Sequence, residues 1–372
     1  MTRSWLALCA FVVLATLVFA APASAQFGAQ ERAEMQQIVD EELASQGAPG
    51  VLAGVWVPGR GSFVAAEGAA VTGGRPIARG DHFRIASITK TFVATAVLQL
   101  VKSGQLSLGD PISKFVRWPG GNRITVRQLL DQTSGIYNFV ENEQFEQRFD
   151  ADPTLRWSAP RDGLALARPV KPYFKPGKGF HYSETNYYLA SMIVEKITGK
   201  PIGRVIRRRI LRPLGMTETS FPSAARLPAP FARGYLAEGS TLRDVTASNP
   251  DVSWGAGAMV STLDDLRTWA KALATGRPLL NRRLQRARLP NVVIESEPIR
   301  VEYGLGMFSI NGFLGHNGAI YGYSTTLLYL PETGATIITM MNKASNESDE
   351  SGGAAVRLAR LLYPQRFPGL PG

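Results

Sequence analysis

The chain holds one cysteine, Cys9, and three histidines, His82, His181 and His316, among 372 residues. One thiol cannot form an internal disulfide, so a disulfide-stapled scaffold is excluded. The scattered histidines form no His-Glu-x-x-His, and there is no Cys-x-x-Cys, so the usual zinc sites are absent and no metal is expected. No Gly-x-x-x-x-Gly-Lys-Ser/Thr segment is present to cradle phosphates. Gly-x-Ser-x-Gly is missing too, which removes the nucleophile elbow of an α/β-hydrolase. Internal repeats and low-complexity tracts are lacking, and a 45% hydrophobic composition is enough for a large core.

Long apolar runs are scarce. The one that stands out, Trp5 to Ala20, follows Arg3 and precedes Ala23-Ser24-Ala25. A basic start, an apolar stretch and small residues before a cleavage point describe a secretory signal peptide, cut after Ala25. An uncleaved anchor is the competing reading, since the run approaches the length that spans a bilayer. With residues 1–25 removed the protein has no cysteine, is exported to the periplasm or medium, and has no stable membrane insertion.

Acidic residues are the minority, 30 against 41 basic ones, and 31 of the latter are arginine. The densest cluster is Arg204, Arg207, Arg208, Arg209 and Arg212. It alternates with Val205, Ile206, Ile210 and Leu211 at helical spacing, which describes the solvated face of a helix and not a nucleic-acid site. Attraction to an acidic envelope polymer is compatible with the same charge.

Periodicity predicts a helix over 31–46, stopped by Gly47 and Pro49, then a hairpin of 51–57 and 62–70 around Pro58-Gly59-Arg60-Gly61. A helix follows from Ile88 to Val101. Thr125 and Thr185 each open further helical runs, the second ending at Gly199. The proline-rich stretch holding Pro160, Pro169, Pro172 and Pro176 reads as loop. Another helix is expected after Ser261, with Thr262, Asp264 and Asp265 in capping positions, reaching Leu273. Strands are expected at 303–310, 324–330 and 335–341, and a last helix at 353–362. Strands at both ends with helices between imply one α/β (α+β) domain: a lobe of residues 26–110 and 251–372, with a mainly helical lobe of 111–250 inserted. The cleft between them is the expected active site.

Within this frame one constellation carries chemistry. In Ser87-Ile88-Thr89-Lys90, a helix starting near Ser87 puts residues three apart on one face, so the Lys90 amine reaches the Ser87 hydroxyl. A desolvated lysine can activate a serine without histidine, and the helix N-terminus favours the developing oxyanion. Taken alone, the tetrapeptide equally describes a capping serine followed by a surface lysine.

The surrounding residues decide the matter. Phe83-Arg84-Ile85-Ala86-Ser87-Ile88-Thr89-Lys90-Thr91-Phe92 resembles the nucleophile segment of the serine β-lactamase and penicillin-binding protein superfamily, in its class C β-lactamase and D-alanyl-D-alanine carboxypeptidase branch. Further segments follow in that family's order: Ile124 to Gly135, Pro176 to Ser183, Pro213-Leu214-Gly215-Met216 and Ser261 to Leu266. Gly315-His316-Asn317-Gly318 then stands where the third motif belongs, followed by Gly322-Tyr323. The similarity extends over about residues 31–363. It implies a β-lactamase/transpeptidase-like fold, an antiparallel sheet flanked by helices.

The resemblance also implies roles. Ser87 is the acylated nucleophile, Lys90 assists its deprotonation, and Tyr182 is the partner base that passes the proton to the leaving group. Backbone N–H groups of Ser87 and Ala319 form the oxyanion hole. His316 lines the opposite wall, where it binds a carboxylate or tunes Tyr182, and Asn317 and Gly318 face substrate. His181 and Tyr187 read as structural. The second motif departs from the family's Tyr-x-Asn: Tyr182-Ser183-Glu184 carries a glutamate, which when ionised only accepts hydrogen bonds. Glu184 is therefore expected to hold Lys90 protonated, to shift base duty to Tyr182, and to favour esters or substrates with an amino group.

The implied activity is that of an exported serine hydrolase acting through an acyl-enzyme, D-alanyl-D-alanine carboxypeptidase- or D-aminopeptidase-like, without cofactor. A small-ester hydrolase and a β-lactamase are alternatives within the family. A catalytically silent envelope-binding protein is the alternative outside it. The expected partner is a small molecule or peptide, such as a fragment of peptidoglycan, and the default state is a monomer.

Overall fold

The computed structural model describes residues 26–222, 224–295, 299–344 and 351–369; the expected signal peptide, 1–25, lies outside the described residues. Eight antiparallel strands form the main sheet: β1 (Gly50–Val57), β2 (Gly61–Gly68), β3 (Val292–Glu295), β4 (Val301–Tyr303), β5 (Phe308–Ile310), β6 (Phe313–Ile320), β7 (Tyr323–Leu330) and β8 (Ala335–Met341). Their order is β2-β1-β8-β7-β6-β5-β4-β3. The register of β1 on β8 runs from Val51 opposite Met341 to Trp56 opposite Thr336, which pairs an early and a late strand of the chain one strand in from the β2 edge.

Both faces of the sheet are covered, which explains the unbroken apolar runs of its central strands. In β1, Val51, Ala53, Val55 and Val57 pack in the cluster with the terminal helices α1 (Ala29–Gln46) and α5 (Gly352–Leu362). The alternate residues Leu52 and Trp56 belong to the larger core on the other face. That core holds α2 (Thr89–Lys102), α3 (Glu184–Thr198) and α4 (Leu263–Thr275).

The local signals for these elements are those the sequence displays. Thr262 caps α4 by accepting from the Asp265 N–H, and Gly199 ends α3 with φ of 63°. Thr125 and Gln128 form a reciprocal capping box on the short helix Val126–Leu130. Residues Ile202–Leu214 are helical with a π turn at Arg207–Leu211; Val205, Ile206, Ile210 and Leu211 are buried while Arg204, Arg207, Arg208 and Arg212 are exposed. Among the described residues no helix is long and apolar enough to cross a membrane.

Three expectations are corrected. The proline-rich loop contains a helix, Arg161–Ala167, which begins directly after Pro160 and buries Leu164 and Ala167. The single strand expected over 303–310 is broken between Tyr303 and Phe308, where Gly306 has φ of 73° and donates to Leu130 O. Strand β6 was not expected, because Gly315, Asn317 and Gly318 are poor strand formers; pairing with β7 on one side and β5 on the other overrides that propensity.

Trp269 ties α4 to α2. Its ring stacks on Phe92 with centroids 3.9 Å apart, and its Nε1 donates to Thr91 Oγ1 at 2.7 Å. Trp269→Ala removes a fully buried aromatic and is expected to cost about 3–5 kcal/mol. Trp269→Phe keeps the stack and loses the hydrogen bond, about 1 kcal/mol. Urea unfolding of the two variants checks the difference.

Candidate active site

Ser87 sits in a 3-10 turn, Ala86–Ile88, that runs directly into α2. Within Phe83–Phe92 it is the one residue that is not buried. Ala86 before it has φ of 44°, a strained value for a residue with a Cβ. Lys90, in the first turn of α2, has no solvent exposure. Its Nζ donates to Ser87 Oγ at 2.9 Å, to Glu184 Oε2 at 2.5 Å and to the Ala256 carbonyl at 2.8 Å. Three acceptors match the three N–H bonds of an ammonium.

Tyr182 and Glu184 flank Ser183, the N-cap residue of α3. Two contacts place this segment: Ser183 N donates to Gln132 Oε1 at 3.1 Å, and Glu184 N to Asn138 Oδ1 at 3.0 Å. The Tyr182 ring lies 4.8 Å from Lys90 Nζ, which donates to Ser87 Oγ. Ser87, Lys90, Tyr182 and Glu184 thus meet, as the sequence suggested. Desolvation pushes the Lys90 amine below its ordinary range, with Glu184 opposing. Desolvation, with Tyr303 and Glu184 adding to it and the nearby Ser87 hydroxyl opposing, holds the Tyr182 phenol well above its ordinary range. Both directions favour the neutral forms, so a Lys90 that has passed a proton to Glu184, and not Tyr182, is the base open to Ser87, the reverse of what Glu184 alone suggested.

Strand β6 closes the site from the sheet side. A Cβ on Gly318 would stand 2.6 Å from Ile85 O and 2.8 Å from Ser87 N, so only glycine lets the strand approach Ser87 this closely. Ser87 and Ala319 line the same cavity. His316 is 1% exposed. Its Nδ1 donates to Asn317 O at 2.5 Å, which leaves Nε2 to accept from the Tyr303 hydroxyl at 2.9 Å. Burial brings its pKa down to about 3, so the ring is neutral. A neutral, enclosed imidazole does not serve a carboxylate as a cation, and its polar contact runs to Tyr303 and not to Tyr182. Asn317 lies one residue further on, half-buried.

The cleft over Ser87 has a volume of about 400 Å³. Glu141, Glu146 and Glu184 line it with Phe145, Phe149 and Ile320, and among the described residues no lysine or arginine does. Glu141 was not anticipated. Its Oε1 accepts from Asn138 Nδ2 at 3.0 Å and His181 Nε2 at 2.9 Å, and its Oε2 accepts from the Tyr173 hydroxyl. Burial raises this carboxyl, but the Tyr173, Asn138 and His181 hydrogen bonds outweigh it and hold Glu141 below its ordinary range. His181 stacks on Tyr173 with centroids 3.6 Å apart, so its role is to hold Glu141 in place. Tyr303 was missed as well, and nothing near it in sequence marks it. Among the described residues no cluster of three or more His, Cys, Asp or Glu is arranged to hold a metal.

The family model described as Beta-lactamase matches residues 35–361. The chain belongs to this Beta-lactamase family. Among solved structures it is similar to a D-stereospecific amidohydrolase from Streptomyces, with 32% identity, coverage of 91% of this chain and 99% of that one, and a TM-score of 0.79. It is also similar to a D-amino acid amidase from Ochrobactrum anthropi, with 28% identity, coverage of 89% and 98%, and a TM-score of 0.76. Protein flp of Staphylococcus aureus is 29% identical over 271 residues, 70% of this chain; the match spans about half, 52%, of that relative's length. The antiparallel sheet, the flanking helices and the serine–lysine–tyrosine cluster on them are in keeping with the serine hydrolases of the Beta-lactamase family.

The neutral His316 makes stability pH-dependent. An unfolded histidine titrates near pH 6.5 and the folded one near 3, so between these values the unfolded chain binds a proton that the folded chain refuses. This contribution is complete above pH 6.5 and falls by about 1.4 kcal/mol per pH unit below it. From pH 7 to pH 4.5 the wild type should lose about 3 kcal/mol through this group. Urea midpoints of wild type and His316→Gln at both pH values check it, the variant showing a flatter profile.

Proposed function

We propose that this protein is an exported serine hydrolase that forms an acyl-enzyme on Ser87 and acts on amides of D-amino acids carrying a free α-amino group. The observation that carries the amino-group reading is Glu141, an ionised carboxylate held by three donors on the wall of the cleft above Ser87. A carboxylate offers about four acceptor sites; three are taken, and one is left for a substrate ammonium. Glu146 adds negative charge to the same cleft, while Phe145, Phe149 and Ile320 supply apolar surface for a side chain. The D configuration is supported by similarity to the D-stereospecific amidohydrolase and the D-amino acid amidase. Export rests on the Arg3, Trp5–Ala20 and Ala23-Ser24-Ala25 pattern.

In this reading the Lys90 proton moves to Glu184, 2.5 Å away, and the freed amine takes the Ser87 proton as Oγ bonds to the carbonyl carbon. The N–H groups of Ser87 and Ala319 receive the oxyanion. Tyr182, kept protonated by its surroundings, donates its proton to the departing nitrogen as the C–N bond breaks. The phenolate recovers a proton from the Lys90–Glu184 pair, whose total charge is then as it began. Water repeats the sequence to release the acid.

The carboxypeptidase alternative is weakened by the neutral His316, which offers no cation to a terminal carboxylate. The small-ester hydrolase keeps the same acyl-enzyme without the amino-group requirement. Expected results separate them. Intact mass after rapid quenching shows an acyl adduct on wild type and none on Ser87→Ala. A charge-assisted hydrogen bond is worth about 1.5–3 kcal/mol, so Glu141→Gln should lower kcat/KM for D-phenylalaninamide by about 10- to 100-fold. 3-Phenylpropionamide, identical but for the amino group, should change by less than about threefold. Equal effects on both amides would leave the ester hydrolase as the better reading.

A further inference from the structure

A second cavity, lined in part by Tyr182 and not by Ser87, lies further along β6, and the order of residues on that strand relates it to the first. Ala319 and Ile320 line the acidic cleft, Gly318 passes against Ser87 N, and Asn317 and His316 line the second cavity. Ser87 therefore stands between two cavities spaced along one strand, at about 3.3 Å per residue. A substrate whose scissile carbonyl lies at Ser87 projects one portion into each.

The portion that enters the second cavity is set by Tyr182. This residue lines the second cavity, and its ring lies 4.8 Å from Lys90 Nζ, which donates to Ser87 Oγ. It is the proton donor to the departing nitrogen, so that nitrogen must lie on its side of the carbonyl. The acyl portion with its ammonium then lies on the Glu141 side.

The second cavity differs in chemistry from the first. Its volume is about 250 Å³, and Phe180, Val301, Phe308, Ile310 and Val356 form most of its wall. Its polar groups have partners: the Tyr303 hydroxyl donates to His316, His316 Nδ1 to the Asn317 backbone carbonyl, and the Thr326 hydroxyl shares a hydrogen bond with Ser351. No lysine or arginine lines it among the described residues, and residues 296–298 and 345–350 contain none in sequence. A cavity of about 150 Å³ accommodates a benzene ring, so this one has room for a benzyl or isobutyl group. A free carboxylate would enter it with no cation to meet it, a costly desolvation.

We propose that this cavity is the leaving-group subsite, and that it takes an uncharged apolar amine or alcohol of about benzyl size in preference to one ending in a carboxylate. The proposal rests on the acyl-enzyme reading above and adds the identity of the group expelled. When Ser87 Oγ bonds to the carbonyl carbon and the C–N bond breaks, the released amine carries the Tyr182 proton and leaves through this cavity.

The test uses N-benzyl-D-phenylalaninamide and D-phenylalanyl-glycine, which share the acyl portion and differ in the charge of the leaving group. Wild type should favour the benzylamide by at least about tenfold in kcat/KM. Val301→Lys, at a half-buried position on the cavity wall, should raise the ratio of dipeptide to benzylamide turnover at least about tenfold. Because the ratio is taken within one variant, a partial loss of folded protein does not alter it. Calorimetric binding to Ser87→Ala supplies a readout without turnover, with the benzylamide binding about tenfold tighter than the dipeptide. Equal affinities in Ser87→Ala, or a ratio unmoved by Val301→Lys, would overturn the subsite. A wild type that is never acylated overturns the hydrolase reading instead, and the two Ser87→Ala affinities still decide the subsite.

Discussion

A lysine ammonium with no solvent contact needs an acceptor for each of its three N–H bonds, and the structure around Lys90 is organised by that demand. Ser87 Oγ, Glu184 Oε2 and Ala256 O meet it from three separate parts of the chain. Removing any one would leave a buried donor unpaired, at a cost well above the worth of an ordinary hydrogen bond. The backbone reflects the constraint. Among the described residues four non-glycine positions have positive φ, and three of them border this lysine's surroundings. Ala86 precedes the nucleophile, Trp254 opens the turn that presents Ala256 O, and Gln132 fixes Ser183 and Asn186 at the start of α3. Strain of this kind persists where neighbouring structure over-determines it.

The same centre depends on the sheet. Gly318 brings β6 against Ser87 N, and β6 is held by β7, which is held in turn by β8 paired to β1. The turn that carries Ser87 and the strand that faces it thus come from distant parts of the chain. Their separation is set by packing of the two sheet faces and not by any local sequence preference. A dense interior that transmits small displacements makes this an exacting arrangement.

What could be read in the sequence follows from this distinction. Ser87 and Lys90 are three residues apart on one helix, and Tyr182 and Glu184 flank one N-cap, so short segments display them. Helix α1 and the β1–β2 hairpin were legible for the same reason: caps and turn residues stand next to the apolar periods they bound. Glu141 and Tyr303 carry no such mark, because what makes them functional is contact with Tyr173, His181 and His316, 13 to 40 residues away. His316 was legible as a residue but not as a charge state. Its neutrality follows from burial, which a motif does not encode. Strand β6 was hidden by its own glycines, the feature that lets it reach the nucleophile. The helix Arg161–Ala167 was hidden by the prolines around it, although Pro160 immediately before a helix is where that residue is tolerated.

The charge distribution bears on how the proposed ammonium-bearing substrate would be held. The chain carries a formal net charge of +11, yet its cleft is lined by three glutamates and no basic side chain among the described residues. At distances beyond about 8–10 Å the net field is largely screened at physiological salt, so it neither guides an ammonium inward nor keeps it out. Recognition must then be short-range, and a short-range contact is strongest when the carboxylate is already fixed and ionised. Tyr173, His181 and Asn138 provide that for Glu141: they leave it one free acceptor direction and keep it charged without the substrate. A carboxylate arranged in this way needs little reorganisation when the ammonium arrives, which is the condition under which a single ion contact discriminates between an amine and its uncharged analogue.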